Sequence, residues 1–229
     1  MSKFLKILTS SLIVGGLLAG CGSNSDSSNS AAEIKEEPKA SEQQPLKNNV
    51  PKPEKDESGN YILKVPGQKV KEDGATAELL KIKKVNETVD ISPLKVTIED
   101  IKVIKLTDLD EEFAEGLEWM ADTKINPEET SYVQVNYTAE NTSDSNIEWY
   151  DIMNVVTDKG EQIDGQLKDF ISDDGDSDSQ FIGKVKKEYT DGFVLKNEDI
   201  NSVKLVFGYT EDEDYNEITP EQTVEYTFE

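Results

Sequence analysis

Alternation of apolar and polar residues is the dominant pattern from about residue 59 to the end of the chain. Leu94, Val96 and Ile98 alternate with polar residues, and the alternation changes phase after Glu99-Asp100. A period of two is typical of strands that bury one face, and a phase change within such a run indicates a β-bulge or a short turn. We therefore predict a strand that contains a bulge or a short turn here. Further strands are predicted at 132–138, 147–156, 203–207 and 224–228.

One segment, 109–120, has helical periodicity instead, with apolar side chains one turn apart at Phe113 and Leu117. Asp108 or Asp110 is the expected N-cap, because an aspartate carboxylate accepts hydrogen bonds from the free backbone N–H groups of the first turn. Many short strands, turn signals and a single short helix predict an all-β fold, an antiparallel β-sandwich.

Several strands and turns recur in a combination found in other proteins. They are the strand at 94–106, the strand at 132–138 with the turn at 140–142, the turn at 158–160, and the segments 191–195 and 203–207. Together they resemble the telokin-like, immunoglobulin-like domains of Gram-positive lipoproteins, which are mostly grouped in families of unknown function. The resemblance spans roughly Ala75 to Phe228. It implies an immunoglobulin-like antiparallel β-sandwich outside the cell membrane, and it implies no catalytic residue.

Composition narrows the chemistry that this chain can perform. The 229 residues carry a formal net charge of -24, which disfavours a nucleic-acid partner because phosphate backbones are also anionic. The charge favours basic partners, divalent cations or simply solubility. The chain has no histidine, so a Ser-His-Asp triad is excluded, and its single cysteine excludes an internal disulfide. All its basic residues are lysines.

The first twenty residues have the features of a bacterial lipoprotein signal peptide. Lys3 and Lys6 precede a short apolar run at 8–18, which is too short for a comfortable transmembrane helix. The run ends in Leu18-Ala19-Gly20-Cys21, which resembles a lipobox: small residues for signal recognition and a cysteine for lipidation. We therefore expect cleavage before Cys21 and a lipid anchor on the extracellular face of the cell membrane.

The organisation that follows is a signal peptide at 1–20, a lipidated and disordered linker at 21–58 and a sandwich domain at 59–229. The linker is rich in serine, proline, lysine and glutamate and has no aromatic residue. Such a segment cannot bury enough apolar surface to offset the entropy of ordering it. A segment that folds on a partner is the alternative interpretation. Whether residues 61–80 join the main sandwich stays open.

An acidic stretch offers a candidate calcium site. Asp174, Asp176 and Asp178 have the one-three-five spacing of a calcium-binding loop. The rest of that pattern fails, because Ser179 stands where the loop needs glycine and Val185 where it needs glutamate. A solvated acidic loop is therefore the preferred interpretation, with Ca²⁺ binding as the alternative.

Three bulky aromatic residues, Trp119, Trp149 and Tyr150, are the other features to follow. A tryptophan on a sandwich strand is usually part of the core. If Trp149 or Tyr150 is exposed instead, it becomes a candidate binding residue, since aromatic residues are enriched in binding hot spots.

These observations predict a membrane-anchored extracellular lipoprotein that acts as a non-enzymatic binding or accessory module, with an envelope protein as its expected partner. No catalytic residue is assigned. One alternative is a carboxylate-based hydrolase that acts on cell-wall polymers, which requires two carboxylates in a cleft. The other is a structural spacer stabilised by calcium.

Overall fold

The structure, a computed structural model, describes residues 50–56, 59–72, 74–171 and 178–228. The predicted signal peptide and Cys21 lie outside these residues. Strand pairing already occurs within the predicted linker, where Glu54–Lys55 pairs with Tyr61–Ile62. The domain boundary at residue 59 stays a prediction.

The elements of the described residues follow in chain order. They are β1 (Glu54–Lys55), β2 (Tyr61–Ile62), β3 (Lys69–Glu72), β4 (Ala75–Ile91), β5 (Leu94–Thr107), α1 (Glu111–Ala121), β6 (Glu129–Asn141), β7 (Ile147–Trp149), β8 (Ile152–Thr157), β9 (Gln162–Asp164), α2 (Gly165–Lys168), β10 (Gln180–Phe181), β11 (Lys186–Leu195), β12 (Ser202–Phe207), β13 (Thr210–Glu211), β14 (Glu217–Thr219) and β15 (Gln222–Thr227). Neither helix of the described part is long and apolar enough to cross a membrane.

Two layers of antiparallel strands form the fold. One layer is the five-stranded sheet β11-β6-β5-β4-β3, and the other contains the four-stranded sheets β15-β12-β8-β9 and β10-β7-β13-β14. Every strand pair among the described residues outside β1–β2 belongs to these sheets and is antiparallel. The predicted all-β, antiparallel sandwich is confirmed, with a second short helix, α2, that the sequence pattern did not predict.

The second layer breaks into two sheets between β7 and β8. The sequence predicted one strand over 147–156, but Asp151 has a positive φ of 20° and interrupts the ladder. The backbone N–H of Gly208 donates to the carbonyl of Asp151 at 2.8 Å across this break. A Cβ on Gly208 would lie 2.8 Å from the carbonyl oxygen of Tyr150, so only glycine allows the two backbones to approach so closely.

Both faces of the five-stranded sheet are covered by hydrophobic residues. In β5 the pairing register shifts between Ile98 and Asp100, which confirms the predicted bulge rather than the short turn and keeps Val103 on the same face as Ile98. Residues next to each other in a strand point to opposite faces, so Ile104 points away from that core. The sequence analysis did not predict β4, because polar residues interrupt the alternation in its centre.

The two faces belong to two hydrophobic cores. The main core lies between the layers and contains residues such as Ile98, Trp149 and Phe207. The second core covers the other face of the five-stranded sheet, where Ile104 packs with Leu117 of α1. Residues 61–80 take part in this second core through Leu63, Val70, Ala75, Ala77 and Leu79.

Candidate functional site

Trp149, one of the two predicted binding residues, lies in the main core. Its side chain is 1% exposed, and its Nε1 donates to the carbonyl oxygen of Gly208 at 3.0 Å. The indole stacks on Phe207 with 6.1 Å between ring centroids and meets Tyr137 edge-on at 6.3 Å. A buried indole with its polar group satisfied is a stable core residue. Trp149 therefore has the core position that the sequence analysis preferred, and the exposure on which a binding role depended is not found.

Tyr150, the other predicted binding residue, is half-buried beside the break in the second layer. Its ring lies 5.8 Å from that of Tyr209, and its hydroxyl donates to Glu148 Oε2 at 3.4 Å. Desolvation, followed by the negative charge of Glu148, raises the pKa of the Tyr150 phenol. The side chain thus has contacts within the protein, and its role in binding stays a prediction.

Of the candidate calcium ligands, Asp174 and Asp176 lie outside the described residues. Asp178 is described, and its Oδ1 accepts a hydrogen bond from the backbone N–H of Gln180 at 3.0 Å. Its backbone carbonyl accepts one from Lys187 Nζ at 2.6 Å. Within the described ranges, no group of three or more cysteines and carboxylates is arranged to hold a metal ion. Calcium binding by the acidic loop stays a prediction.

The side-chain carboxyl of Asp151 has a strongly raised pKa. Burial, together with the negative charge of Asp169, raises the pKa of Asp151 to about 6, against a hydrogen bond that Gln166 Nε2 donates to Oδ1 at 2.6 Å. A pKa close to neutrality suits a general acid, but a carboxyl that is simply buried has it too. The hydrolase alternative therefore stays a prediction.

Helix α1 is held firmly at its N-terminus. Asp110 is the N-cap, with Oδ1 accepting from the backbone N–H of Phe113 at 2.8 Å, which confirms the second of the two predicted caps. The N–H of Asp110 donates to the carbonyl of Gly74 at 2.8 Å. A Cβ on Gly74 would lie 2.9 Å from Phe113 Cβ, so glycine lets the β3–β4 turn touch the helix.

The two sides of α1 differ sharply. Ala114, Leu117 and Ala121 are buried against the second core. Trp119 lies off this face and is 84% exposed. The side chain with the largest apolar surface of any residue type is thus left in solvent, on a helix that already has a well-packed inner face.

A groove of about 670 Å³ lies beside Trp119. Its walls carry three carboxylates and one ammonium group. Glu118 Oε2 accepts a hydrogen bond from the backbone N–H of Ile125 at 3.4 Å. Within the described ranges, no lysine forms an ion pair with any of the three carboxylates of the groove. The lining residues are Glu115, Glu118, Trp119, Asp122, Thr123 and Lys124.

The C-terminal end of α1 concentrates negative charge at this groove. The last turn contains no basic residue, and the C-cap, Asp122, is itself acidic and adopts the left-handed conformation at φ 43°. The free carbonyl groups of a helix C-terminus carry a partial negative charge, so carboxylates are unfavourable there. The lining residues therefore carry a net negative charge, with three carboxylates and one lysine beside the exposed tryptophan.

Helix α2 lies beside the same end of α1. Lys168 Nζ donates to the backbone carbonyl of Asp122 at 3.5 Å, which connects the two helices. The preceding residue, Leu167, is 73% exposed. Leu167 is not among the residues that line the groove.

Sequence reasoning noted Trp119 but did not select it as a binding residue. The available signal was its position, two residues after Leu117, which places it on nearly the opposite side of a helix from the apolar face. A groove next to it depends on the turn at Thr123 and Lys124, which the helical pattern does not specify.

The chain was compared with protein families, curated proteins and solved structures. No family model matches it, and no curated protein matches it. Among solved structures, it is similar to the crystal structure of a functionally unknown protein from Listeria monocytogenes EGD-e, with 11% identity and a TM-score of 0.49. The similarity covers 66% of this chain and 86% of that one. A likeness at this level carries no functional argument.

Proposed function

We propose that this protein is a non-enzymatic binding module at the cell envelope and that the outer face of α1 is its binding surface. The observation that carries the proposal is the 84% exposure of Trp119 on a helix whose inner face is already packed. The sequence Leu18-Ala19-Gly20-Cys21 supports a lipid anchor at the extracellular face of the membrane. The antiparallel two-layer arrangement supports an immunoglobulin-like, telokin-like classification of the sandwich.

Energetics favour this surface for binding. Covering a large apolar side chain contributes roughly 1.5–3 kcal/mol, and tryptophan is among the residues most enriched in binding hot spots. Helix α1 is capped by Asp110 and packed through Leu117, so it loses little conformational freedom when a partner binds. The groove beside Trp119 adds a concave surface to an otherwise convex helix.

The test is site-specific photo-crosslinking in intact cells that express the full chain. A photoreactive residue at Thr123, an uncharged residue that lines the groove, is compared with one at Tyr215, an exposed aromatic in the turn between β13 and β14. We expect a discrete crosslinked product from position 123 and none from position 215, and we expect Trp119→Ala to reduce it strongly. Equal labelling from both positions, or a product that survives Trp119→Ala undiminished, would contradict the proposal.

The anchor has its own test, since it rests on the sequence alone. Cys21→Ala is expected to leave the precursor uncleaved or to release the protein from the membrane, because the thiol is the group that accepts the lipid. The measurement is the size of the protein and its distribution between membrane and soluble fractions. An unchanged size together with an unchanged membrane fraction would rule the anchor out.

A further inference from the structure

We infer that the groove beside Trp119 binds a cationic polypeptide segment, whose lysine or arginine side chains lie against the indole and between the carboxylates of Glu115 and Asp122. The inference rests on the proposed function, because it names the partner chemistry for that same surface. It is carried by the spacing of the side chains, by the charge of the helix end and by the open form of the groove.

The spacing places carboxylates on both sides of the indole. Glu115 lies four residues before Trp119, a separation at which residues are neighbours on a helix surface, and Asp122, the C-cap that follows the helix, lines the same groove. A cation above the indole would therefore be within reach of a carboxylate on the preceding turn and of another at the helix end. Trp is the aromatic residue whose ring face attracts a cation most strongly.

The electrostatics of the helix end select a positive partner. Two acids, Glu118 and Asp122, stand where the helix macrodipole is already negative, with no base in the last turn. Lys124 lines the groove and Lys168 donates to the backbone carbonyl of Asp122, but neither forms an ion pair with these carboxylates within the described ranges. A cationic segment would relieve this repulsion, and a net charge of -24 would attract it from a distance.

The form of the groove favours a polypeptide over a small ammonium ion. Sites for small quaternary ammonium ligands enclose the cation in a cage of several aromatic rings. Here a single indole, 84% exposed, lines an open groove, so one cation gains only a weak contact. Affinity then requires several cations on one chain, which can contact the indole and the carboxylates of the groove together.

The experiment is a calorimetric titration of the purified full-length chain with a lysine–glycine repeat peptide, with the acetyl-lysine form of the same peptide as the uncharged control. We expect the lysine peptide to bind and the acetylated peptide not to bind. Trp119→Ala should weaken binding about tenfold, in line with a desolvated cation–π contact and lost apolar burial. Binding should also weaken as salt is added, because salt screens exposed charges.

Matched charge variants separate this groove from the general acidity of the surface. Glu115→Gln combined with Asp122→Asn is compared with Asp214→Asn combined with Glu217→Gln, exposed residues at the β13–β14 hairpin. The first pair should weaken binding as strongly as Trp119→Ala, and the second pair should leave it nearly unchanged. Equal weakening by both pairs, or full binding by Trp119→Ala, overturns the inference. If the peptide does not bind while the crosslink from position 123 forms in cells, the cationic chemistry fails and the binding surface survives.

Discussion

The two tryptophans of this protein occupy opposite environments. Trp149 is 1% exposed in the main core, where its indole N–H is bonded to Gly208 and its rings contact other aromatic residues. Trp119 is 84% exposed on α1, beside carboxylates that have no cationic partner in the described part of the chain. The same residue type thus serves packing in one region and is left available in the other.

The difference lies in which elements face the two side chains. Trp149 extends from a strand between two layers, so both sheets cover it. Helix α1 has only one sheet beneath it, and Leu117 already fills the contact with that sheet. A tryptophan on the far side of such a helix has no second layer to cover it, so a partner molecule is what would bury it.

The largest effect on stability is expected from Trp149. Trp149→Ala removes the centre of an aromatic cluster and should lower the free energy of unfolding by about 3–5 kcal/mol. This is a large share of the total for a domain, so Trp149→Phe serves as a second, milder variant. Because Trp149→Phe leaves the Gly208 carbonyl without its donor, it should cost about 1–3 kcal/mol. Urea unfolding followed by circular dichroism gives both values, and no loss in either variant would contradict the core assignment.

A smaller effect is expected from the inner face of α1. Leu117→Ala should lower the free energy of unfolding by about 2–4 kcal/mol, because it opens a cavity in the second core. Amide hydrogen exchange should speed up in α1 more than in β5. Glu111→Ala, an exposed position on the same helix, is the control and should change little. Equal exchange rates in wild type and Leu117→Ala would show that α1 is not held by this core.

Asp151, two residues after Trp149, should make the main core sensitive to pH. Its folded-state pKa of about 6 exceeds the ordinary value of 3.8, so the folded state favours the protonated carboxyl. That stabilisation is fully present below pH 3.8 and is lost as the pH rises through 6. Asp151→Asn removes the ionisation and should raise the free energy of unfolding at pH 7 by about 1–3 kcal/mol.

Asp158 provides a control, because its pKa is shifted in the opposite direction from that of Asp151. Hydrogen bonds, first that from the backbone N–H of Asn201, lower the pKa of Asp158 to about 2. Its contribution is present above the ordinary pKa of 3.8 and is lost as the pH falls through 2. Asp158→Asn should therefore destabilise the protein at pH 7, whereas Asp151→Asn stabilises it. Thermal melts across the pH range measure both, and a shift of the same sign would contradict the assignment.

The smallest effect on stability is expected from Trp119→Ala, the substitution that should weaken binding about tenfold. Trp119→Ala should change the free energy of unfolding by less than about 0.5 kcal/mol, because surface substitutions remove few contacts. Chemical unfolding of the variant and of the wild type, followed by circular dichroism, checks this. A loss comparable with that of Leu117→Ala would mean that the indole is packed within the protein.

Local patterns made part of the fold predictable. The phase change at Glu99-Asp100 marked the bulge in β5, and the spacing before Phe113 marked the cap at Asp110. The turn at 158–160 also follows its sequence, with Gly160 at a φ of 79°. Each of these features is decided by residues that are close in the chain, so the sequence contains the relevant information.

Features decided by distant contacts were not predictable in the same way. The centre of β4 is rich in lysine and reads as a loop, but its pairing with β5 supplies the backbone hydrogen bonds that make it a strand. The break at Asp151 depends on the approach of Gly208 from a distant strand. The exposure of Trp119 was not predicted either, because it depends on which elements pack around α1 and on the absence, among the described residues, of a second layer over its outer face.

Collisional quenching of single-tryptophan variants tests this contrast most directly. Trp149→Phe leaves Trp119 as the only indole, and Trp119→Phe leaves Trp149. We predict that caesium quenches Trp119 strongly and iodide quenches it weakly, because the indole is exposed and lies among carboxylates. Trp149 should resist both ions. If Trp119 resists quenching, or if iodide quenches it as well as caesium does, then α1 does not present an exposed tryptophan in a negative groove.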